Sequence, residues 1–306
     1  MTTMTVPTLT RHDLQERKDR ITATDVAAIM GTSPWKTNYD VWIEKCLDME
    51  PIVPSPAMLW GSLMEDDIIT YAEARLREHF DDPSIKATRV GIRRKHANGI
   101  MACTLDSVLQ GRDEAIEAKT HAAIHPNVDW TAWGTEEFSD AIPPYYRDQV
   151  CGQFACAPNL NRIWVVLSIG RMVPTIYCLE RENLLARIAE IETACCDFWD
   201  QHILTHIAPA GEATLDTVKR GRQTIDPSTI ASIDDVLCER QKELAAAITA
   251  ATKQKETVDA SIRLAMLGAE RGRSPKGHFV HIGPVNIKGY TVAPKSYQRM
   301  TVTLAK

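Results

Sequence analysis

Two runs of alternating apolar and polar residues, joined by a short turn, constrain the fold of this 306-residue chain more than any other feature. The first run covers 100–109 and the second covers 114–120, with Gln110-Gly111-Arg112-Asp113 around the connection. Alternation with a period of two indicates strands, and a short glycine-containing connection between them indicates a hairpin. Ile116 and Ala118 give the second strand an apolar face. The segment therefore predicts a strand pair packed on a core.

Helical and strand patterns surround this hairpin. Apolar residues at steps of three and four predict helices, and short β-branched runs predict strands. This order favours an α/β (α+β) fold in which a central mixed β-sheet is flanked by helices. The predicted helices cover 22–30, 57–80, 145–157 and 181–206, and the further strands cover 87–93, 162–169 and 175–179.

The C-terminal third has a different character. The polar, Pro- and Gly-containing stretch 208–228 predicts a linker between a core at 1–207 and an extension at 229–306. Within the extension, 230–267 predicts a helix or helical hairpin. Gln241 and Lys255 interrupt its apolar seam, so a coiled coil is left open. Segments 279–281, 285–287 and 290–292 predict a small β-hairpin in the tail.

The composition is that of a globular protein. Hydrophobic residues make up 44% and charged residues 25%, which argues against disordered and fibrous classes. The chain has no apolar run of about 20 residues, and residues 1–10 lack the pattern of a signal peptide, so we expect a cytoplasmic protein without a membrane span. The eight cysteines lack a CxxC pair and are expected to be reduced.

Positive charge is concentrated in two places, although the net charge is −5. The tail from 271 to 306 has seven basic residues and no acidic residue. A second cluster contains Lys86, Arg89, Arg93, Arg94 and Lys95. Local positive fields of this kind suit contacts with nucleic-acid phosphates, and Arg93 and Arg94 are candidate DNA-binding residues. The alternative is that these charges protect an exposed strand edge from aggregation.

The hairpin also carries the candidate chemistry. In a strand, Glu117 and Lys119 project to one face and Ala118 to the other, and folding back across the turn brings Asp106 beside them. Two carboxylates and the Ala118 carbonyl are ligands that Mg²⁺ prefers. Such an ion polarises a phosphate and binds the attacking water, while Lys119 orients or deprotonates that water. On spacing alone the same pattern also fits an ordinary exposed strand.

Several motifs in the right order resemble the family of lambda exonuclease and YqaJ-like phage recombination nucleases, within the PD-(D/E)XK superfamily. The resemblance extends from about 17 to 199. It departs at Leu105, where the family usually has proline, and in the roughly 100 residues after His206. The motifs are Arg17-Lys-Asp-Arg-Ile-Thr-Ala-Thr24, Trp60-Gly-Ser-Leu-Met-Glu65, Ala102-Cys-Thr-Leu-Asp106, Glu117-Ala-Lys119 and Tyr146-Arg-Asp-Gln149.

The resemblance implies a restriction-endonuclease-like core and a role for each motif. Asp106 and Glu117 would bind Mg²⁺, for which Mn²⁺ could substitute, and Lys119 would handle the nucleophilic water. Glu65 and Gln149 would support this centre, with Glu65 as a further candidate metal ligand. Arg17 and Thr24 would lie near a terminal phosphate, since a guanidinium binds two phosphate oxygens at once, and Tyr146 is a further candidate DNA contact.

The resemblance further implies a 5′-to-3′ exonuclease that acts on double-stranded DNA ends and leaves 3′ overhangs. Ring-shaped trimers and a single-strand annealing protein as partner are family traits that it also implies. The alternatives are an endonuclease on the same core, a related nuclease with an iron–sulfur cluster on four clustered cysteines, and a non-catalytic DNA-end-binding recombination adaptor.

Overall fold

The structure, a computed structural model, consists of two compact units, Met1–Thr224 and Ile225–Lys306. It describes residues 15, 17–50, 54–88, 91–121, 130–170, 172–221, 230 and 232–282, apart from the side chains of Ile92 and Trp130. The helices are α1 (Ala23–Ile29), α2 (Asn38–Cys46), α3 (Pro56–Phe80), α4 (Pro144–Cys156), α5 (Leu185–Phe198), α6 (Leu215–Arg220) and α7 (Asp235–Met266). The strands are β1 (Ile21–Thr22), β2 (Ala87–Thr88), β3 (Ile92–Lys95), β4 (Met101–Leu105), β5 (Ser107–Leu109), β6 (Glu114–His121), β7 (Arg162–Ile169), β8 (Thr175–Glu180), β9 (Arg271–Arg273) and β10 (Phe279–His281).

The first unit is built on a five-stranded mixed sheet in the order β2-β5-β6-β7-β8. Strand β6 is central, antiparallel to β5 and parallel to β7 over its whole length. Alternate side chains of β7 enter two different hydrophobic clusters, with Val165 in one and Val166 in the other. The sheet is therefore covered on both faces, and the predicted α/β class with a central mixed sheet flanked by helices is confirmed.

Helices pack on both faces of this sheet. Helix α3 packs Ile68, Ile69 and Leu76 on the face that includes Ile116 and Val166. Helices α1, α4 and α5 cover the opposite face, which includes Ala115 and Val165. The predicted helices at 22–30, 57–80 and 145–157 are confirmed as α1, α3 and α4.

A second sheet has three strands in the order β1-β4-β3. The chain passes from its strand β4 to strand β5 of the first sheet. The segment 100–109 was predicted as one strand, which is wrong, because a bend at Asp106 divides it into β4 and β5 in different sheets. The predicted strand 87–93 is likewise replaced by β2 and β3, again in different sheets. Strand β2 pairs with β5, and strand β3 pairs with β4.

The predicted long helix at 181–206 is shorter and is interrupted. A 3-10 turn over Arg181–Leu184 precedes α5, and a π-helical turn over Trp199–Ile203 follows it. In the segment predicted as a linker, α6 is ordered against α2. The Thr214 amide donates to the Asp40 carboxylate at 2.8 Å, and Asp40 is fully buried. This contact explains why part of 208–228 is helical.

The second unit contains α7 and the pair β9–β10. None of the 32 residues of α7 is buried, although Leu237, Ile248 and Val258 are apolar. The predicted helix is confirmed. Strand β10 covers the predicted 279–281 and pairs with β9, which was not predicted. A turn with Gly277 at a φ of +88° makes this pairing possible. The segments 285–287 and 290–292 lie outside the described residues.

Within the part of the chain that is described, no helix has both the length and the apolar composition needed to cross a bilayer.

Gly152→Ala tests the close crossing of α4 over α1. A Cβ at this position would lie 2.9 Å from Val26 Cγ2 and 3.4 Å from the Ala23 Cα. We expect a loss of about 1–3 kcal/mol of unfolding free energy from overpacking, although helix propensity alone favours alanine by about 1 kcal/mol. Urea denaturation measures the difference, and a more stable variant would contradict the contact.

Candidate active site

Strand β6 presents Glu117 and Lys119 on the face covered by α4. Ala118 points the other way and packs in the cluster under α3. Glu117 is only 4% exposed, and Lys119 lies over it with its ammonium 2.5 Å from Glu117 Oε1. The alternation predicted from the sequence therefore places an acid and a base together on a covered strand rather than on a solvated edge.

Asp106 joins them through the bend between β4 and β5. Its carboxylate Oδ2 accepts a hydrogen bond from the Ala118 amide at 2.9 Å, so it lies beside the central strand. Burial raises the pKa of Asp106 well above its usual value, and the nearby Glu117 and Glu65 carboxylates add to this effect. The expected convergence of Asp106, Glu117 and Lys119 is present.

The Glu117 carboxylate receives hydrogen bonds on both oxygens from α4. Gln149 Nε2 donates to Oε1 at 2.7 Å, and Gln153 Nε2 donates to Oε2 at 2.6 Å. The two glutamines are four residues apart and so share one face of the helix. Gln149 lies where the sequence predicted, whereas Gln153 was not predicted, although its spacing from Gln149 is a signal that could have identified it.

An aromatic group lies beneath the Lys119 ammonium. Lys119 Nζ is 5.1 Å from the centre of the Tyr146 ring, and the Tyr146 hydroxyl is 2.6 Å from His121 Nε2. Burial by itself would lower the pKa of Lys119, but Glu117 and Asp106 outweigh it and hold that pKa above its ordinary value. Tyr146, predicted as a DNA contact, thus lies under Lys119.

Glu65 reaches the site from α3. The helix passes close to β6 at Gly61, where a Cβ would lie 3.0 Å from Thr120 Oγ1, and Glu65 follows one turn later. Glycine at this crossing lets α3 approach the strand. Burial raises the pKa of Glu65, and the negative charges of Glu117 and Asp66 raise it further. Glu65 is therefore part of the same acidic environment as Asp106.

These residues line one cleft of about 830 Å³. It lies where the two sheets part, between β3, β4, β6 and the first turns of α3. Its acidic residues include the buried Glu117, whereas the basic Arg17, Arg93 and Lys95 are exposed, and we call them its margin. Of the predicted site residues, the ones that line it are Arg17, Thr24, Glu65, Arg93, Arg94, Asp106, Glu117, Ala118, Lys119 and Gln149.

A buried ionic network holds the N-terminal side of the cleft. The ammonium of Lys45 donates to the Arg17 carbonyl at 2.5 Å and to Asp25 Oδ2 at 2.7 Å, and Lys36 bonds the other oxygen of Asp25. Burial by itself would raise the pKa of Asp25, but Lys36 and Lys45 hold it far below its usual value. The sequence gives no signal for this network, because a lysine is rarely buried unless it is paired.

The donor set fits a divalent cation. Three carboxylates, Asp106, Glu117 and Glu65, lie near the Lys119 ammonium. Burial first, and then the neighbouring carboxylates, raise the pKa of Asp106. In the described residues, no three His, Cys, Asp or Glu side chains converge to hold a metal by themselves. A cation would therefore use Asp106 and Glu117 with oxygens from the backbone, substrate and water.

Of the cysteines, Cys103 lines the cleft together with these carboxylates. All eight are free thiols within the described residues, and Cys103, Cys151, Cys156 and Cys195 are buried. Since no three of them cluster there as metal ligands, the four-thiolate site that the iron–sulfur alternative requires is not formed. The four buried thiols pack in the hydrophobic core as small apolar groups.

A known protein family matches the segment of the chain that contains the cleft residues. Residues 14–159 match the model of the YqaJ-like viral recombinase domain. Over this segment, just under half of its length, the chain is similar to YqaJ-like viral recombinase domains. The resemblance inferred from the motifs is thereby confirmed, and Asp106, Glu117, Lys119 and Gln149 all lie within the matched domain.

Similar proteins extend the match beyond this domain. The uncharacterized protein YqaJ of Bacillus subtilis (strain 168) is 28% identical over 200 residues, which are 64% of this chain and 57% of that relative. The alkaline exonuclease LHK-Exo from Laribacter hongkongensis is 20% identical, with a TM-score of 0.44 over 64% of this chain and 94% of its own. A phage related exonuclease from Haemophilus somnus 129PT is 11% identical, with a TM-score of 0.44 over 61% of this chain and 96% of its own.

Asp25→Asn tests the ionic network beside the YqaJ-like cleft. It leaves the Lys45 ammonium, 3% exposed, without its carboxylate, and breaking a buried pair costs about 3–5 kcal/mol. Because the pKa of Asp25 is depressed in the folded state, the loss should be constant from pH 7 down to about pH 4, the unfolded value. It should shrink only at lower pH.

Guanidinium denaturation at a series of pH values measures this loss. The exposed Asp19→Asn is the matched control and should change stability little. A loss for Asp25→Asn that disappears already at pH 6 would contradict the assignment.

Proposed function

We propose that this chain is a metal-dependent deoxyribonuclease that degrades linear duplex DNA from its ends. It would use Mg²⁺, with Mn²⁺ as a substitute, and would cut from 5′ to 3′ to leave 3′ overhangs. The observation that carries the proposal is the convergence in one cleft of Asp106, at the bend between β4 and β5, with Glu117 and Lys119 of β6. The YqaJ-like viral recombinase domain supports the same class of function.

The chain's own residues divide the chemistry between them. When bound, the cation supplies Lewis-acid polarisation of the scissile phosphate and lowers the pKa of the attacking water. Asp106 and Glu117 would hold it, with the Ala118 carbonyl as a further oxygen. Lys119 would orient the water and offset the charge that develops on the phosphate. The Gln149 hydrogen bond keeps Glu117 in position, and Glu65 adds negative charge toward the cation.

The margin of the cleft suits the DNA backbone. Arg93 and Arg94 on β3 lie beside β4, with Arg94 opposite Cys103 in the strand register, and both line the cleft. Basic side chains beside the acidic residues of the cleft would bind phosphates and leave the scissile bond near the carboxylates. This arrangement favours a substrate that is anionic along its length, as DNA is.

Recognition of an end is assigned to the N-terminal side of the cleft. Arg17 and Thr24 line it there, and the Lys45 ammonium holds the Arg17 backbone in place. A guanidinium at this position would bind a terminal 5′-phosphate, which orients the strand for cleavage from the 5′ end. The 5′-to-3′ polarity depends on this assignment.

Partners and assembly are carried over from the family resemblance. The 3′ overhang would be the substrate of a single-strand annealing protein, and the chain would act as a homo-oligomer, a trimer by resemblance. The long helix α7, whose apolar side chains are exposed, and the basic strand β9 supply surfaces for such contacts outside the first unit.

The function is tested with end-labelled linear duplex and covalently closed circles, with Mg²⁺ or with a chelator. We expect only the linear duplex to be degraded, only with the metal present, and mononucleotides to be released from the 5′-labelled end. Nicking of the closed circles would instead indicate an endonuclease on the same core. Binding of ends without any cleavage in Mg²⁺ or Mn²⁺ would indicate a DNA-end-binding adaptor.

Lys119→Ala is expected to lower the rate of cleavage by about 10²- to 10³-fold, as the loss of a preorganised charge at the reacting phosphate does. DNA affinity, measured by fluorescence anisotropy, should stay near that of wild type, because Arg17, Arg93 and Arg94 remain. The exposed Lys253→Ala on α7 is the matched control and should keep full activity. Normal cleavage by Lys119→Ala would remove Lys119 from the reaction.

Arg17→Ala should impair the use of ends with a 5′-phosphate more than ends with a 5′-hydroxyl. The loss of a charge-assisted hydrogen bond, about 1.5–3 kcal/mol, predicts a tenfold or larger rise in KM for phosphorylated ends only. Arg17→Lys keeps the charge without the planar pair of donors and should be intermediate. Equal losses on both kinds of end would separate Arg17 from phosphate recognition.

A further inference from the structure

Gln153 has a polar side chain in the site, and none of the catalytic and binding roles proposed above involves it. It lies on α4, is 1% exposed and lines the cleft. Its amide nitrogen donates to Glu117 Oε2 at 2.6 Å. Its amide oxygen is buried and has no hydrogen-bond partner among the described residues. A buried carbonyl without a donor is uncommon in folded proteins and calls for a physical explanation.

Rotating the amide does not remove the unpaired oxygen. The exchange of nitrogen and oxygen would place the Gln153 oxygen against the Glu117 carboxylate, where neither atom carries a hydrogen. The nitrogen must therefore face Glu117, and the oxygen must face its present surroundings. The unsatisfied acceptor follows from the geometry of the site rather than from the choice of orientation.

The pairing with Gln149 shows what the nitrogen does. Gln149 bonds Glu117 Oε1 and Gln153 bonds Oε2, so the two amides together set the plane of the carboxylate. Support for Glu117 requires only the nitrogen of Gln153. A buried acceptor without a donor is costly, so the oxygen indicates a second partner.

We propose that Gln153 is a positioning residue that orients Glu117 through its amide nitrogen and accepts, through its amide oxygen, a hydrogen bond from a water molecule held in the cleft with the divalent cation. This inference rests on the proposed function. Water is the donor that fits, because it can enter the cleft and offers hydrogens to a carbonyl oxygen while its own oxygen faces a cation. Gln153 then acts on the cation through Glu117 and through water, without contacting the scissile phosphate.

The test is Mn²⁺ binding by the full chain, followed by electron paramagnetic resonance of the free ion. Gln153→Met has a similar length but neither donor nor acceptor. We expect its Mn²⁺ dissociation constant to rise about tenfold or more, the usual effect of losing a partner of a metal ligand. Without metal its thermal midpoint should fall somewhat, because Glu117 Oε2 loses the hydrogen bond from Gln153. A residue that is only structural would lower the midpoint and leave the Mn²⁺ dissociation constant unchanged.

Two further variants separate these outcomes from a general loss of packing. Cys151→Ala removes a buried side chain from the same helix. It should lower the midpoint while keeping Mn²⁺ affinity. Gln153→Asn keeps an amide that is too short to reach Glu117 and should weaken Mn²⁺ binding as the methionine variant does, which provides a second test should that variant fold poorly.

The wild-type protein separates failure of this inference from failure of the proposed function. A wild type that binds no Mn²⁺ and degrades no DNA overturns both. A wild type that binds Mn²⁺, together with Gln153 variants that bind it equally well, overturns only the role of Gln153. In steady-state cleavage of linear duplex we expect Gln153→Met to lower kcat and leave KM unchanged, since Gln153 lies away from the basic margin.

Discussion

The hydrogen bond from the Ala118 amide to the Asp106 carboxylate is the contact on which the geometry of the site depends. It holds the bend between β4 and β5 against the central strand, at the point where the chain leaves one sheet and enters the other. The donor is the backbone amide of Ala118, so this contact does not occupy a side chain that the proposed chemistry requires. Parting of the sheets at the same point opens the cleft.

Buried charge is the second constraint on the site. Asp106, Glu117 and Glu65 lie in one region with the Lys119 ammonium. The side-chain amides of Gln149 and Gln153 hold Glu117, and the ring of Tyr146 lies under Lys119. Such an arrangement opposes folding when no cation is present, because like charges repel at low dielectric. It is typical of a site whose stability has been traded for a function.

Much of this could be predicted from the sequence, and the failures have physical reasons. Periodicity located α1, α3 and α4, and the alternation around Glu117 placed it with Lys119. The bend at Asp106 was missed because Met101, Cys103, Leu105, Ser107 and Leu109 keep the same alternation throughout, so no change of pattern marks the point where the hydrogen-bond partners change. Burial of Lys45 was not foreseeable, since it depends on Asp25 and the Arg17 carbonyl meeting in space.

The exposure of α7 sets this helix apart from the rest of the chain in its dynamics. A helix that buries no side chain gains nothing from tertiary packing, and its hydrogen bonds are maintained only by local propensity and a few side-chain pairs such as Lys255 with Asp259. Its backbone amides should therefore exchange with deuterium far sooner than those of α4, whose residues are almost all enclosed. Slow exchange along α7 would appear only when another surface covers it.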